Sequence, residues 1–238
     1  MKPLILALQF LTRIPLPRVE ASADDFARAM RWFPAAGLVV GAVVAGTTFV
    51  AGHIGPWQGA LAGLAAWLIV TGGLHLDGLA DLVDARGAAH GDKTRFLAVL
   101  ADPHIGSFGV MAIVLQMLAK LVLLHAAVLG QHWLALILIP FAARIAPLVW
   151  TRWLPPLHQG LAARFRHGVS LPAILVWALA LAAAGWFVPA LWAGFPLIAA
   201  GYYWFRTRLG GISGDCHGAG IELLETLLLI ALIATRLG

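Results

Sequence analysis

Charged residues are scarce in this sequence. Only 11% of its 238 residues are Asp, Glu, Lys or Arg, whereas soluble domains carry about 25%. The single cysteine, Cys216, excludes an internal disulfide and cannot build a thiolate metal site alone. The N-terminus also lacks the small-residue cleavage site of a signal peptide, so we expect none. The composition therefore excludes an ordinary soluble domain and a disulfide-stapled secreted fold.

Apolar residues make up 61% of the chain, and the mean hydropathy is +0.88. A helix needs about 20 residues to cross a hydrocarbon core, and several apolar stretches approach that length. We predict an all-α, polytopic integral membrane helix bundle of about seven (six to eight) transmembrane helices, forming one membrane-embedded domain, 1–238. The predicted spans are 33–51, 57–76, 107–129, 133–150, 171–187, 189–205 and 221–236, with 4–12 as a short or re-entrant eighth segment.

The basic residues fall on one side of this bundle. Twelve of the sixteen Lys and Arg residues lie in the connections 12–32, 77–106, 151–170 and 206–220, whereas 52–56, 130–132 and the turn near 188 contain none. Because basic residues accumulate in cytoplasmic loops, we expect the first set of connections to face the cytoplasm. The excess of basic residues, a net charge of +5, thus reflects the orientation of the chain in the membrane, and we expect no nucleic-acid partner.

Three aspartates stand where an apolar run ends, in the segment "GGLHLDGLADLVDARGA", 72–88. In a helix, Asp77, Asp81 and Asp84 fall at positions i, i+4 and i+7 and form one stripe of like charges, which repel one another. A divalent cation relieves that repulsion, and Mg²⁺ prefers carboxylates, waters and substrate phosphates. We therefore predict that these aspartates are Mg²⁺ ligands.

A second acidic cluster lies in "GGISGDCHGAGIELLET", 210–226. We place Asp215 in a glycine-rich loop, and Glu222 and Glu225 share a helical face at i, i+3. Charged residues inside a membrane span are costly and are functional candidates by default. We predict that these three acids complete the metal site, hold a second ion, or bind substrate. Acids for Mg²⁺, glycines that admit phosphate and scattered arginines together indicate phosphoryl chemistry.

Several segments resemble one family. They are "FLTRIPLP" at 10–17, "FPAAG" at 33–37, "TGGLHLDGLADLVDA" at 71–85, "LADPHIGSFG" at 100–109, "AAR" at 142–144 and "GGISGDCHGAGIELLE" at 210–225. The chain resembles the cobalamin synthase (adenosylcobinamide-GDP ribazoletransferase) family of polytopic membrane enzymes. One departure is Ala85, where the family usually has glycine, with Gly87 two residues further on.

The resemblance implies a reaction and a location. The expected catalytic domain joins α-ribazole or its 5′-phosphate to adenosylcobinamide-GDP, releases GMP, and requires Mg²⁺. We expect a multi-pass protein of the bacterial inner membrane, surrounded by membrane lipid, with its active site facing the cytoplasm. The oligomeric state stays open, a homo-oligomer included.

Further residues are assigned roles by their type and position. A general base must take the proton of the attacking hydroxyl, and the candidates are Asp102, His75 and His104. The predicted substrate-binding residues are Arg13, Lys120, Arg144, Gly73, Gly78 and Gly214. Lys120 and Arg144 lie within spans, where an unpaired cation is costly, so we expect them to pair with acids or phosphates.

Two other functions remain as alternatives. Asp81, Asp84, Ala85 and Arg86 faintly resemble the motif of CDP-alcohol phosphotransferases, but the spacing fails and the second half of that motif is missing. A cation transporter could also use the acids as ion sites. However, transporters usually place their sites near the membrane midplane and show repeat symmetry, whereas these acids lie at one face and no repeat is visible.

Overall fold

The computed structural model describes residues 2–158, 160 and 164–235, which form α-helices, three short 3₁₀ helices and no β-strand. The α-helices, numbered in chain order, are α1 Lys2–Leu11, α2 Ala23–Ala29, α3 Phe33–Gly52, α4 Pro56–Thr71, α5 Leu74–Ala89, α6 Lys93–Leu100, α7 Ser107–Leu129, α8 Trp133–Ala143, α9 Ala146–Trp153, α10 Leu171–Phe187, α11 Gly194–Arg208 and α12 Gly214–Ala234. The predicted all-α class is confirmed.

Four described segments are long and apolar enough to cross a membrane, and α4 with α5 makes a fifth if that bent pair counts as one span. The four are Ala23–Gly52, Ser107–Leu129, Trp133–Trp153 and Gly214–Ala234. Large apolar side chains stay exposed in the middle of the helices, such as Leu115 on α7 and Leu179 on α10, which is typical of lipid-facing surfaces. The chain is a membrane helix bundle, and the count of about seven spans stays a prediction.

Helices α3, α7 and α10 follow the predicted spans 33–51, 107–129 and 171–187 closely, whereas α4 ends at Thr71 rather than at 76 and the predicted span 133–150 is broken near Arg144. The apolar block 171–205 breaks as expected, because α10 ends at Phe187 and the 3₁₀ helix Pro189–Ala193 precedes α11. The last helix, however, begins at Gly214 rather than at 221. The placement of Asp215 in a loop was therefore wrong, because the Ser213 hydroxyl accepts from the Cys216 amide and caps a helix that already includes Asp215.

A sharp bend separates α4 from α5. The two helices meet at an angle of 85° across Gly72 and Gly73, whose φ values are 62° and 71°. Side chains other than glycine rarely adopt this left-handed conformation, so the pair of glycines permits the turn. The bend directs α5, with its aspartates, away from the axis of α4.

The α8–α9 segment is broken at Arg144. Pro140 cannot donate a backbone hydrogen bond, α8 ends at Ala143, and α9 resumes at Ala146. At the break the Arg144 amide donates to the Phe141 carbonyl, and the Pro140 carbonyl accepts from the Arg144 guanidinium at 2.9 Å instead. Broken backbone at membrane depth is tolerated where other protein groups satisfy it, and here the cation at the break does so.

Glycines bring two further helix pairs into close contact. A Cβ at Gly41 of α3 would overlap the Ile137 carbonyl of α8, and a Cβ at Gly78 of α5 would lie 2.8 Å from the Asp215 carbonyl oxygen of α12. Small residues at such contacts let membrane helices approach one another. The α5–α12 contact matters most for function, because it brings the two acidic clusters of the sequence together.

Candidate active site

The aspartates of α5 lie on one stripe of a helix, as predicted, but in three different environments. Asp77 is exposed, Asp81 is partly buried, and Asp84 is 7% exposed. The helix turns progressively from the surface into the protein along this stripe. The three carboxylates therefore cannot be equivalent in function.

The Asp84 carboxylate accepts two hydrogen bonds from backbone amides. One of its oxygens accepts from the Gly106 amide at 2.7 Å, and the other accepts from the Gly109 amide at 2.8 Å. Both amides belong to the start of α7, whose first N–H groups have no partner within the helix. Asp84 thus caps α7 from a neighbouring helix. Its predicted role as a metal ligand stays a prediction beside this observed structural one.

Asp77 and Asp215 line one cavity, between the start of α5 and the start of α12. Asp81 lies within electrostatic range of both carboxylates. The structure therefore brings Asp77 and Asp81 of α5 within electrostatic range of Asp215 of α12, a helix far along the sequence. Gly78 and Gly214 also line the cavity, and a Cβ at Gly214 would meet nothing within 4 Å, so space remains open at the start of α12.

These three acids carry no ion pair among the described residues, in contrast to Glu222 and Glu225, which pair with Lys120 and Arg144. Carboxylate oxygens are the donors that Mg²⁺ prefers, and Mg²⁺ in proteins is often held by one or two carboxylates together with substrate phosphates. Within the described ranges, no three His, Cys, Asp or Glu side chains are arranged to hold one ion. The donor set thus fits an ion that is shared with substrate and not a cage built by the protein alone.

Glu222 and Glu225 lie apart from this site, deeper in the bundle. Glu222 follows Gly214 by eight residues, which is about 12 Å along a helix. The Lys120 ammonium of α7 donates to both glutamates, at 2.6 Å each, and all three side chains are buried. The Gln116 amide adds hydrogen bonds to Glu222 and Thr226, at 2.9 and 2.7 Å.

Arg144 completes this buried cluster. Its guanidinium donates to Glu225 at 2.7 Å, and neither side chain has exposed surface. The expectation that Lys120 and Arg144 pair with acids is therefore met, although we also assigned them to substrate. Cations satisfy Glu222 and Glu225 in the structure, so the metal assignment of these two glutamates stays a prediction that the geometry does not favour.

His75 connects the buried cluster to the cavity. His75 lines the cavity beside Asp77, and its Nδ1 lies 3.4 Å from the Arg144 guanidinium. A guanidinium only donates hydrogen bonds, so Nδ1 accepts and the ring proton resides on Nε2. This geometry favours a hydrogen-bond donor at Nε2 over the predicted general base.

Arg13 and Gly73 lie at the bend between α4 and α5. The Arg13 amide donates to the Val70 carbonyl at 2.7 Å, and the Arg13 side chain lies against Gly72, where a Cβ would overlap it. The side chain is otherwise exposed. Space is open around Gly73. Their assignment to substrate stays a prediction, and their observed contacts hold the bend.

Asp102 and His104 lie on the exposed connection between α6 and α7. Asp102 accepts from the His104 amide at 2.9 Å and from His104 Nδ1 at 2.7 Å. The first of these bonds, followed by the second, holds the pKa of Asp102 below its usual range, which makes Asp102 a weaker base. Neither residue lines the cavity, and their role as general base stays a prediction.

Sequence reasoning missed the polar partners of the buried charges. Gln116 and Thr226 were not singled out, although each lies on an apolar helix. The same holds for Thr151, whose hydroxyl lies 2.9 Å from His217 Nε2. For Gln116 and Thr226 the available signal was a polar residue inside a predicted span, whereas Thr151 lay in the predicted connection 151–170 and gave no such signal.

The unpaired acids, the glycine contacts and the helical bundle together define a membrane-embedded protein with an acidic site at one end of its helices. Comparison with known proteins makes this more specific. Residues 3–233 match the family described as cobalamin-5-phosphate synthase. No solved structure matches the chain.

Three similar proteins are named adenosylcobinamide-GDP ribazoletransferase. The protein of Novosphingobium aromaticivorans is 60% identical over 100% of this chain and 98% of its own length. That of Thiobacillus denitrificans is 52% identical over 97% of this chain and 94% of its own, and that of Laribacter hongkongensis is 51% identical over 100% and 99%. The chain belongs to the cobalamin-5-phosphate synthase family and is a transferase of cobalamin biosynthesis.

Proposed function

We propose that this protein joins α-ribazole or its 5′-phosphate to adenosylcobinamide-GDP, with release of GMP. The observation that carries the proposal is that Asp77 and Asp215 line one cavity, with Asp81 within electrostatic range of both, and that none of the three has an ion pair among the described residues. Such a donor set suits a Mg²⁺ ion shared with a pyrophosphate. The names of the full-length relatives support adenosylcobinamide-GDP as one substrate, and the family resemblance of the sequence motifs implies α-ribazole as the other.

In the proposed reaction, a ribose hydroxyl of ribazole attacks the phosphorus that carries cobinamide. A new phosphorus–oxygen bond forms, the bond to the GMP oxygen breaks, and the hydroxyl proton leaves to a base. Asp77 and Asp215 would hold Mg²⁺, with Asp81 as a direct or water-mediated partner. When bound, the ion would neutralise charge on the pyrophosphate and on the departing GMP.

The proposed site faces the cytoplasm of a bacterial inner membrane. If α3, α4 and α7 each cross the membrane, the connection that carries His104 lies on the same side as the basic N-terminal segment. The connection between α3 and α4, which carries Ile54, then lies on the opposite side. Basic residues mark the first side, as cytoplasmic loops require.

The activity is tested with purified protein in liposomes, supplied with adenosylcobinamide-GDP, α-ribazole and Mg²⁺. GMP release that depends on both substrates and on the ion is expected. Parallel reactions with α-ribazole 5′-phosphate identify the preferred acceptor from the ratio of kcat/KM values. Absence of GMP release with a folded protein would contradict the proposal, and ion flux in the same liposomes would favour a transporter.

The orientation is tested by labelling single cysteines in intact cells after Cys216 is replaced by serine. Ile54 and His104 are both exposed, so Ile54→Cys and His104→Cys form a matched pair. A membrane-impermeant maleimide is expected to label the first variant in intact cells and the second only after lysis. The reverse pattern would place the site outside the cytoplasm.

A further inference from the structure

The cavity beside Asp77 and Asp215 has an aromatic wall. Phe10 of α1, Phe33 of α3 and Phe165 line it. Their ring centroids lie 5.5–5.8 Å apart, with Phe10 and Phe33 stacked and Phe165 edge-on to Phe33. Three rings from three separate parts of the chain form a rigid apolar surface, which suits a flat aromatic ligand.

The cavity is small. Its volume is about 100 Å³, whereas whole-ligand pockets usually measure about 300–1,000 Å³. One ring system is therefore the appropriate occupant, and a corrinoid is far too large. The remaining lining is mostly apolar, with Leu11, Leu74 and Ile221 alongside the phenylalanines.

One polar group on this wall has no partner. His75 is 2% exposed, and its Nε2 makes no hydrogen bond in the described part of the chain. Because Arg144 donates to Nδ1, Nε2 carries the proton and needs an acceptor. A buried donor left unsatisfied costs about 1–3 kcal/mol. A ligand that accepts this hydrogen bond should therefore bind more tightly than a similar ligand that lacks an acceptor.

We propose that this cavity holds the aromatic base of the acceptor nucleoside, and that His75 Nε2 donates to its unprotonated ring nitrogen. A fused benzimidazole-type heterocycle, glycosylated at one nitrogen, offers such an acceptor at the other. This inference rests on the proposed function and adds a base-binding subsite to it. It also places the attached ribose beside Asp77 and Asp215, where the hydroxyl must react.

Guanine is the competing occupant, since the other substrate carries it. Its edge bears a carbonyl, a ring N–H and an amino group, which demand several polar partners. The acceptors that line the cavity for these N–H groups are the carboxylates of Asp77 and Asp215, which the proposed function assigns to Mg²⁺, and the rest of the lining is dominated by phenylalanine, leucine and isoleucine. An apolar benzimidazole edge fits this lining better, because burying unpaired polar groups is costly.

The test crosses two acceptors with three forms of the protein. The acceptors are α-ribazole and an indole α-riboside, in which the free ring nitrogen is replaced by C–H. The forms are wild type, His75→Leu and His75→Gln, the last of which retains an N–H donor. KM for each acceptor is measured by GMP release, and α-ribazole binding is measured by equilibrium dialysis without the second substrate.

Wild type should prefer α-ribazole over the indole riboside by about tenfold in KM, the scale of one neutral hydrogen bond. His75→Leu should abolish that preference by raising KM for α-ribazole alone, and His75→Gln should restore much of it. A preference that survives in His75→Leu overturns the inference. So does a rise in KM for adenosylcobinamide-GDP in place of α-ribazole, which would assign the cavity to guanine.

The two proposals fail in different ways. If wild type releases no GMP with either acceptor, the proposed function fails, while the dialysis measurement still tests the cavity. If wild type is active but α-ribazole binds His75→Leu as tightly as wild type, only the base-binding inference fails. Thermal unfolding of each variant confirms that the compared proteins are folded.

Discussion

Arg144 and Glu225 form a 2.7 Å ion pair in which neither side chain has any exposed surface. Lys120 donates to the other oxygen of Glu225, so this carboxylate is shared by α7, α12 and the break between α8 and α9. Removal of one partner from such a pair leaves a buried charge uncompensated. The glutamate of the last helix therefore joins three parts of the bundle.

Glu225→Gln should destabilise the protein strongly. The amide cannot balance the charges of Arg144 and Lys120, and breaking a buried ion pair costs about 3–5 kcal/mol. Thermal unfolding in detergent measures the loss. Leu223→Ala is the control, because Leu223 lies on the same helix but is 47% exposed. Equal melting temperatures for the two variants would show that the pair contributes nothing to stability.

Asp84→Asn should lower stability rather than act only on turnover. Asparagine keeps one acceptor oxygen and turns an N–H group toward one of the two glycine amides that Asp84 now accepts. A buried amide without a partner costs about 1–3 kcal/mol. Unfolding experiments report this cost, and faster proteolysis of the connection before α7 should accompany it. An unchanged melting temperature would contradict the capping role.

Asp81→Asn should lower turnover but leave the stability of the protein intact. Asp81 makes no ion pair among the described residues, and its neighbours are other acids, so removal of its charge relieves repulsion and should preserve folding. Turnover should fall by more than tenfold, equivalent to about 1.4 kcal/mol of barrier. GMP release and melting temperature are measured on the same preparation. Activity above a tenth of wild type would exclude Asp81 as a direct metal ligand.

Magnesium removal should stop turnover without unfolding the protein. The proposed ion is shared with substrate phosphate, so the helices do not depend on it. Asp77→Asn should raise the Mg²⁺ concentration for half-maximal rate by more than about tenfold, the cost of losing even an outer-sphere partner of a metal. EDTA titration with GMP release tests both statements. A lowered melting temperature in EDTA would indicate a structural ion instead.

Gly72→Ala should damage the bend between α4 and α5 more than Gly73→Ala does. Both positions have positive φ, which costs other residues about 1–3 kcal/mol. Only Gly72 also contacts the Arg13 side chain, whereas space is open at Gly73. Gly46→Ala, in the middle of α3 with nothing nearby, is the neutral control. The melting temperature should be highest for Gly46→Ala, lower for Gly73→Ala and lowest for Gly72→Ala.

The stripe of Asp77, Asp81 and Asp84 could be predicted from the sequence because helical periodicity is a local property. The different environments and contacts of these three residues could not be predicted from the sequence. Asp84 caps a helix whose first residue is 23 positions further along the chain. Such a contact depends on how α5 packs against α7, and that packing leaves no sign in the spacing of aspartates.

The sequence by itself determined that this chain is an α-helical membrane protein, since scarce charge and long apolar runs are compatible with no soluble fold. It also determined, by its motifs, the family. Only the tertiary structure decided which acids stay free. Lys120 and Arg144 neutralise Glu222 and Glu225 deep in the bundle, where an unpaired charge is most costly. Asp77 and Asp215 lie near the starts of their helices, with Asp81 within electrostatic range of both, and there carboxylates without ion pairs can remain available for the proposed metal and its substrate.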